Sequence, residues 1–280
     1  MHGQWMMNTA FRQRDTKRLV QAPLEPFGVA SYNIHRCIGM DGRKDAARIC
    51  RVLHELNCDL IALQEVDNQP GEHKESMQLD FLAHETGMQA VAGLRIIWHT
   101  GEYGNALLTR FKPLSVQRHD LSYSWYEPRG ALDVELDMHG ISVRVIAAHL
   151  GLRTRERNFQ WRKLLAAIAS GPLDLPVILL GDMNEWYPRS GNLNAVHGVF
   201  GEPPAPKEFP TFWPMLALSR VWVRPRGALL QATAHRTPLA RKASDHLPIK
   251  AMVDPNLLRA PLMDERVSLK GAQRELETSV

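Results

Sequence analysis

Residues 131–148, ALDVELDMHGISVRVIAA, contain two apolar runs on either side of the segment Met138-His139-Gly140. In the first run, Leu132, Val134 and Leu136 alternate with acidic residues, which is the two-residue period of a strand with one buried face. Two such runs around a short turn that contains glycine predict a β-hairpin. The sheet that contains this hairpin must therefore be at least partly antiparallel.

Strand and helix patterns alternate on both sides of the hairpin. Helices are predicted at 44–57, 76–86 and 155–170, where apolar residues fall on one face. Further strands are predicted at 27–34, 59–64, 88–94, 104–109, 176–180, 220–224, 229–234 and 248–253. Mixed strand directions with helices between them predict an α/β fold of the α+β type, in which two packed mixed β-sheets are flanked by helices.

The ends of the chain differ from its middle. Residues 1–25 are polar and basic and lack apolar periodicity, so we expect a flexible basic arm. Residues 255–280 are charged and are expected to form a C-terminal tail. Between them we find no internal repeat and no linker, which predicts a single domain at 26–254.

The composition is that of an ordinary soluble globular protein, with 44% hydrophobic and 23% charged residues. A net charge of +4 is only weak evidence for an anionic partner. The three cysteines have no metal-site spacing and suit a reducing compartment. No apolar run approaches the roughly 18 residues that span a bilayer. We therefore expect a soluble, cytoplasmic protein with no transmembrane segment and no evident obligatory protein partner.

Polar side chains stand where five of the predicted strands end or begin. Because strand ends are rigid and the loops beside them carry function, we expect these groups to meet at one edge of the packed sheets. Carboxylate and amide oxygens suit Mg²⁺ or Mn²⁺ better than a structural zinc. A metal, an Asp and two His provide what hydrolysis of a phosphate ester needs. The residues are Asn33, Glu65, His149, Asp182 with Asn184, and Asp245 with His246.

At these positions the sequence resembles the endonuclease/exonuclease/phosphatase superfamily, whose members include exonuclease III and DNase I. Its motif sequences are most similar to those of small bacterial metal-dependent hydrolases. The matching segments keep the family's order over about residues 27–253. The resemblance implies a four-layer α/β sandwich. The segments are SYNIH (31–35), LQEVD (63–67), YGNALLTR (103–110), PRGAL (128–132), AHLGL (147–151), GDMNEW (181–186), TFW (211–213) and SDHLP (244–248).

The resemblance also implies roles. Glu65 corresponds to the principal metal ligand, with Asn33 beside it. Asp182 would orient or deprotonate the attacking water, and His246 would contact the scissile phosphate. By the same resemblance, Asn184 would hold water or a phosphate oxygen and His149 would contact the phosphate. Asp245 would bind the metal region or brace the site. Asn105 and Arg129 are candidates for substrate binding; Arg129 could pair with a phosphate oxygen in a bidentate manner or instead form a structural salt bridge.

One position departs from the family pattern. The family usually has an Asp, hydrogen-bonded to the catalytic His, where this chain has Ser219. A hydroxyl cannot stabilise imidazolium as a carboxylate does. Two outcomes are expected: either His246 has a lower pKa than in relatives, or another carboxylate substitutes.

The substrate class stays open at this point, because the shared core determines the reaction and not the substrate. Abasic-site endonucleases typically have Lys where this chain has Asp67, which argues against that activity. The sequence predicts a divalent-metal-dependent phosphoesterase, first of all a phosphodiesterase, that acts on nucleic acid or a nucleotide, or on a phospholipid-type or small soluble ester. The alternative is a catalytically weakened binding module that keeps the fold.

Two features of the sequence bear on the substrate class. The arginine-rich run at 153–163 is either a solvated helix face or a contact with an anionic substrate. Aromatic residues in predicted loops could form an apolar rim: Trp98, Trp125, Tyr126 and Trp186.

Overall fold

A computed structural model describes residues 22–71, 76–93, 96–98, 101–172 and 174–259, with the backbone alone at 96–98. Most of the predicted arm and tail, at 1–21 and 260–280, lies outside the described residues, and the proposed domain bounds stay a prediction. The strands are β1 Phe27–Asn33, β2 Leu60–Asn68, β3 Gln89–Ala92, β4 Ile96–Trp98, β5 Gly101–Thr109, β6 Lys112–Asp120, β7 Gly130–Met138, β8 Ile141–His149, β9 Val177–Asp182, β10 Ser219–Arg224, β11 Leu229–Ala234 and β12 Ile249–Val253. The helices are α1 Ala46–Leu56, α2 Gln78–Thr86, α3 Thr154–Ser170, α4 Gly191–Phe200, α5 Pro238–Ala243 and α6 Pro255–Leu258.

The strands form two sheets. The first has the order β11-β12-β1-β2-β5-β3, with β4 also paired to β5, and the second has the order β10-β9-β8-β7-β6. Each sheet contains one parallel pair, β1 with β2 and β8 with β9, among antiparallel pairs. The prediction of two mixed sheets is therefore confirmed.

Three apolar layers hold the sheets and helices together. One lies between the two sheets and includes Val29, Leu132 and Val145. A second packs α1, α2 and α5 on the outer face of the first sheet. The third packs α3 and α4 on the second sheet. The order helix, sheet, sheet, helix is the four-layer sandwich that the resemblance implied.

The central hairpin forms as its sequence predicts. β7 pairs with β8 up to Met138 and Ile141, and the turn residues His139 and Gly140 have φ of 58° and 80°. Positive φ at both turn positions matches the right-handed twist of the two strands.

Four elements were not predicted. Strand β6 was not predicted because this edge strand is mostly exposed and has no apolar alternation. The others are β4, α4 and α5.

A buried ion pair joins the second sheet to the helix that covers it. The guanidinium of Arg144 donates to Asp133 at 2.9 Å from Nε, and to the carbonyl oxygens of Ala167 and Ile168 at 2.8 Å each. Both charged side chains are almost fully buried. Since these carbonyls belong to the last turn of α3, the pair fastens that turn to the sheet.

We expect Asp133→Ala to lower the free energy of unfolding by about 3–5 kcal/mol, because it leaves the Arg144 guanidinium buried without its carboxylate. Urea unfolding followed by circular dichroism measures this change. Asp174→Ala is the matched control, since Asp174 is exposed and such changes stay within about 0.5 kcal/mol. Equal stability of the two variants would contradict the prediction.

The strand directions bring one set of loops to the same edge. At this edge β1, β2, β8 and β9 end, and their antiparallel neighbours β7, β10 and β12 begin. We call it the site edge. Within the described part of the chain no helix has both the length and the apolar character to cross a bilayer.

Candidate functional site

Asp182, the last residue of β9, lies at the centre of the site edge and is only 1% exposed. Its Oδ2 accepts a hydrogen bond from Asn33 Nδ2 at 3.2 Å and lies 3.8 Å from Nε2 of both His149 and His246. Its Oδ1 accepts from the backbone N–H of Asn184 at 3.0 Å. Four of the predicted residues thus meet on one carboxylate.

Glu65 joins the same group through Asn33, whose Nδ2 also donates to Glu65 Oε1 at 3.0 Å. Glu65 has a φ of 58° and lies where the pairing of β2 with β5 shifts between Leu63 and Val66. A left-handed conformation costs a non-glycine residue about 1–3 kcal/mol and is typical of functional sites. A bulge of this kind re-aims a side chain, here the half-buried carboxylate of Glu65.

His149 is buried against Arg129. Arg129 Nη1 lies 2.8 Å from Nδ1 and 3.2 Å from Nε2 of His149, and it donates to Nδ1 in the tautomer that carries the ring proton on Nε2, toward Asp182. Burial, and after it the charge of Arg129, lower the pKa of His149 well below its ordinary value. Arg129 also lies 3.4 Å from Glu127, and its buried Nε has no hydrogen-bond partner among the described residues. A phosphate oxygen would satisfy that N–H.

His246 has a carboxylate partner that the sequence did not reveal. Glu208 is fully buried, and its Oε1 lies 3.7 Å from Nδ1 of His246. That distance is longer than a hydrogen bond, so the contact is an ion pair at close range. The ring of Phe209 lies 4.6 Å from that of His246, measured between centroids. The imidazole is therefore positioned between a carboxylate, an aromatic ring and Asp182.

Hydrogen bonds of both the carboxylate and the backbone hold Glu208 in place. Its carboxylate accepts from the backbone N–H groups of Leu218 at 3.0 Å and Ser219 at 2.8 Å. Its own N–H donates to Leu216 O, and its carbonyl accepts from Leu247 N–H at 3.1 Å. Nothing in the local sequence marks Glu208, which stands in a proline-rich loop, so only the folded chain identifies it.

The outcome at Ser219 follows from this arrangement. Burial alone lowers the pKa of His246, but the neighbouring carboxylates, Glu208 first among them, outweigh burial and raise it to about 9. Of the two outcomes expected from Ser219, the structure shows the second, a substitute carboxylate, which is Glu208. Ser219 itself is buried and contributes its backbone N–H to Glu208.

The remaining predicted residues brace the site. Asn184 Nδ2 donates to Leu150 O at 2.8 Å. Ser244 Oγ donates to the carbonyl oxygen of Asn33 at 2.8 Å, and Asp245 Oδ1 lies 3.3 Å from the same hydroxyl. Asn105 Nδ2 donates to the carbonyl of Gly130 at 2.9 Å, which ties β5 to β7. The geometry thus gives Asn105 a structural contact, and its role in substrate binding stays a prediction.

The donor set at Glu65 and Asn33 fits a hard cation. Among the described residues no three His, Cys, Asp or Glu side chains are grouped as metal ligands. Mg²⁺ does not require such a group, because it keeps several waters and is held by one or two carboxylates together with substrate phosphate.

The arginine-rich run on α3 divides into two sets. Arg157 is buried, with Nε 3.3 Å from Glu185 Oε2, and so it is structural. Arg155 and Arg162 are less buried, and together with Arg157, Arg189 and Trp186 they line a cavity of about 620 Å³. Since Glu185 and Trp186 directly follow Asn184, this cavity adjoins the candidate site.

A sequence model of the Endonuclease/Exonuclease/phosphatase family matches residues 30–246, the span that contains every residue of this site. The chain belongs to that family. Its members are phosphoester hydrolases.

Individual relatives agree with the assignment. An uncharacterized protein of Escherichia coli K12, YbhP, is 28% identical over 244 residues, which cover 81% of this chain and 96% of YbhP. Three solved structures are similar at identities that show the fold alone. They are an endonuclease/exonuclease/phosphatase protein of Beutenbergia cavernae (TM-score 0.67, 20% identity, 82% of this chain and 71% of that one), a mannosyl-6-phosphatase of Bacteroides thetaiotaomicron (0.64, 17%, 81% and 99%) and D. rerio TDP2 with a single-strand DNA product (0.60, 18%, 81% and 98%).

Proposed function

We propose that this protein is a divalent-metal-dependent phosphoesterase, first of all a phosphodiesterase. The observation that carries the proposal is the shared position of Asp182 Oδ2, within 3.8 Å of Nε2 of two histidines and hydrogen-bonded to the amide that holds Glu65. A buried carboxylate between two imidazoles can take the proton of a water while the histidines face the phosphate.

Glu65 and Asn33 would hold a Mg²⁺ or Mn²⁺ ion, with Asp245 near them, and the ion would neutralise phosphate charge when bound. Asp182 orients the attacking water and takes its proton as the new P–O bond forms. The bond from phosphorus to the leaving alcohol breaks in line with that attack. Asn184 helps to hold Asp182 in place through its backbone N–H.

Cationic and neutral hydrogen-bond donors stabilise the negative charge that develops on the phosphate. A pKa of about 9 keeps His246 protonated at neutral pH, so that it can donate to a phosphate oxygen or to the leaving oxygen. His149 donates as a neutral imidazole, and Arg129 has a free N–H at the same place among the described residues. The binding-module alternative loses its main support, because Glu208 supplies the carboxylate that Ser219 lacks.

We expect turnover of bis-p-nitrophenyl phosphate with Mg²⁺ or Mn²⁺, a fall to background in EDTA, and recovery when metal is added back. Release of p-nitrophenol measures it, and p-nitrophenyl phosphate, plasmid DNA and phospholipids rank the substrate classes. The EDTA step is reversible, so it also serves as the control for loss of fold. Absence of turnover with every metal and substrate would overturn the proposal in favour of a binding module.

A further inference from the structure

Strongly exposed aromatic side chains are concentrated in one region of the surface. Among the described residues, the large aromatics that are more than half exposed are Trp125, Trp186, Tyr187, Phe212 and Trp213, with exposures from 59% to 86%. We call these five residues the aromatic rim. Of the residues noted in the sequence, Trp125 and Trp186 belong to it, Tyr126 is half-buried, and the side chain of Trp98 lies outside the described residues.

The aromatic rim lies entirely on loops of the site edge. Trp125 precedes β7, Trp186 and Tyr187 follow β9, and Phe212 and Trp213 precede β10. The loop of Phe212 is attached to the candidate site, since Thr211 N–H donates to Asp245 O at 2.8 Å. Toward the opposite edge the exposed large apolar side chains among the described residues are aliphatic: Leu114, Leu230 and Leu257, at 49%, 51% and 41% exposure.

Aliphatic side chains extend the same surface. Met40, Leu152 and Met215 are exposed by 46%, 71% and 57% and stand on three different site-edge loops. Exposed apolar side chains grouped at one edge of a fold are typical of an interaction site. Stacking on nucleic-acid bases needs aromatic faces arranged along a groove. Mixed aromatic and aliphatic loop tips on the site edge instead fit a flat apolar partner.

Positive charge accompanies the aromatic rim. Arg153, Arg155 and Arg189 are exposed beside it, and with Arg162 the last two line the cavity of about 620 Å³ next to Trp186. Arg155, Arg162 and Arg189 make no ion pair within the described part of the chain. Tryptophan and tyrosine favour the boundary between lipid headgroups and acyl chains, and flanking arginines favour anionic headgroups.

We propose that the aromatic rim docks on an anionic phospholipid surface and brings a lipid-borne phosphate ester to the site edge. The second half of this inference rests on the proposed phosphoesterase function, whereas the docking itself does not. The arginine-lined cavity accepts the phosphate of a headgroup beside the one that reacts.

The test compares binding to vesicles of phosphatidylcholine alone and of an equal mixture with phosphatidylglycerol, by co-sedimentation. The test variant is Trp125→Ala/Phe212→Ala/Trp213→Ala. The matched control is Leu114→Ala/Val116→Ala, which removes two exposed apolar side chains from β6, away from the site edge. Wild type and control are expected to bind the anionic vesicles, and the test variant to bind at least about tenfold more weakly.

Turnover of vesicle phosphatidylglycerol, divided by turnover of bis-p-nitrophenyl phosphate for the same variant, is expected to fall only in the test variant. Absence of vesicle binding by the wild type, or an equal loss in the control, would overturn the docking proposal. Binding of single-stranded DNA that the test variant loses, without vesicle binding, would assign the rim to nucleic acid and overturn it as well. Vesicle binding by a wild type that hydrolyses neither ester would support the docking and refute the phosphoesterase.

Discussion

Asp182→Asn is expected to lower kcat for bis-p-nitrophenyl phosphate by at least about a thousandfold, because the amide cannot take a proton from the attacking water. The substitution preserves shape and keeps one acceptor oxygen, which the backbone N–H of Asn184 can still contact, whereas the amide nitrogen replaces the oxygen that accepts from Asn33. Steady-state kinetics with saturating Mg²⁺ measures the loss. A change confined to kcat, with KM nearly constant, is expected of a group that acts on the reacting atoms.

Two controls separate this effect from misfolding. Asp174→Asn changes an exposed acid shortly before β9 and should leave kcat unchanged. The thermal midpoint of Asp182→Asn should stay close to that of the wild type, since the change removes a buried charge without creating a cavity. If Asp182→Asn kept more than about a tenth of the wild-type kcat, Asp182 would not be the group that activates water.

Glu208→Gln is expected to lower kcat by about a hundredfold, because it removes the charge that stabilises the imidazolium of His246. The glutamine keeps a carbonyl oxygen for the backbone N–H groups of Leu218 and Ser219. Glu202→Gln is the matched control, since Glu202 is an exposed acid of the same loop. The double variant Glu208→Gln/Ser219→Asp should recover at least about tenfold, because it returns a carboxylate to the position from which the family's Asp contacts the catalytic His.

The pH dependence gives a second measurement of the same contact. The pKa of His246 is raised to about 9, so the protonated imidazole persists at neutral pH and is lost as the pH rises through that value. Without the charge of Glu208 this pKa falls, and the alkaline limb of the pH–rate profile should move to lower pH. An unchanged limb together with no recovery in the double variant would show that Glu208 serves only to hold the loop.

Much of the fold was predictable because it depends on local periodicity. The alternation of Leu132, Val134 and Leu136 predicted β7, and the glycine-containing turn predicted its hairpin with β8. The continuous apolar run before Asp182 predicted the buried strand β9. Strand β6 was not predicted, because an edge strand that faces solvent carries no apolar alternation.

The candidate site was predictable to the extent that its groups stand at strand ends. Asn33, His149, Asp182 and His246 come together because parallel and antiparallel pairings place those ends at one edge. The conformation of Glu65 was not predictable, since the bulge depends on how β2 pairs with β5. Arg157 shows the same limit: its sequence context is that of a solvated helix face, yet packing against Glu185 buries it.

The sequence by itself thus determined the family, the order of the elements and the residue types that meet at the site edge, because these follow from periodicity and from short segments of chain. Only the tertiary structure decided which carboxylate serves His246. Glu208 and His246 are far apart in the chain, and their contact depends on the loop before β10 folding back against the segment before β12. No local pattern encodes such a contact, since it is a property of the packed molecule.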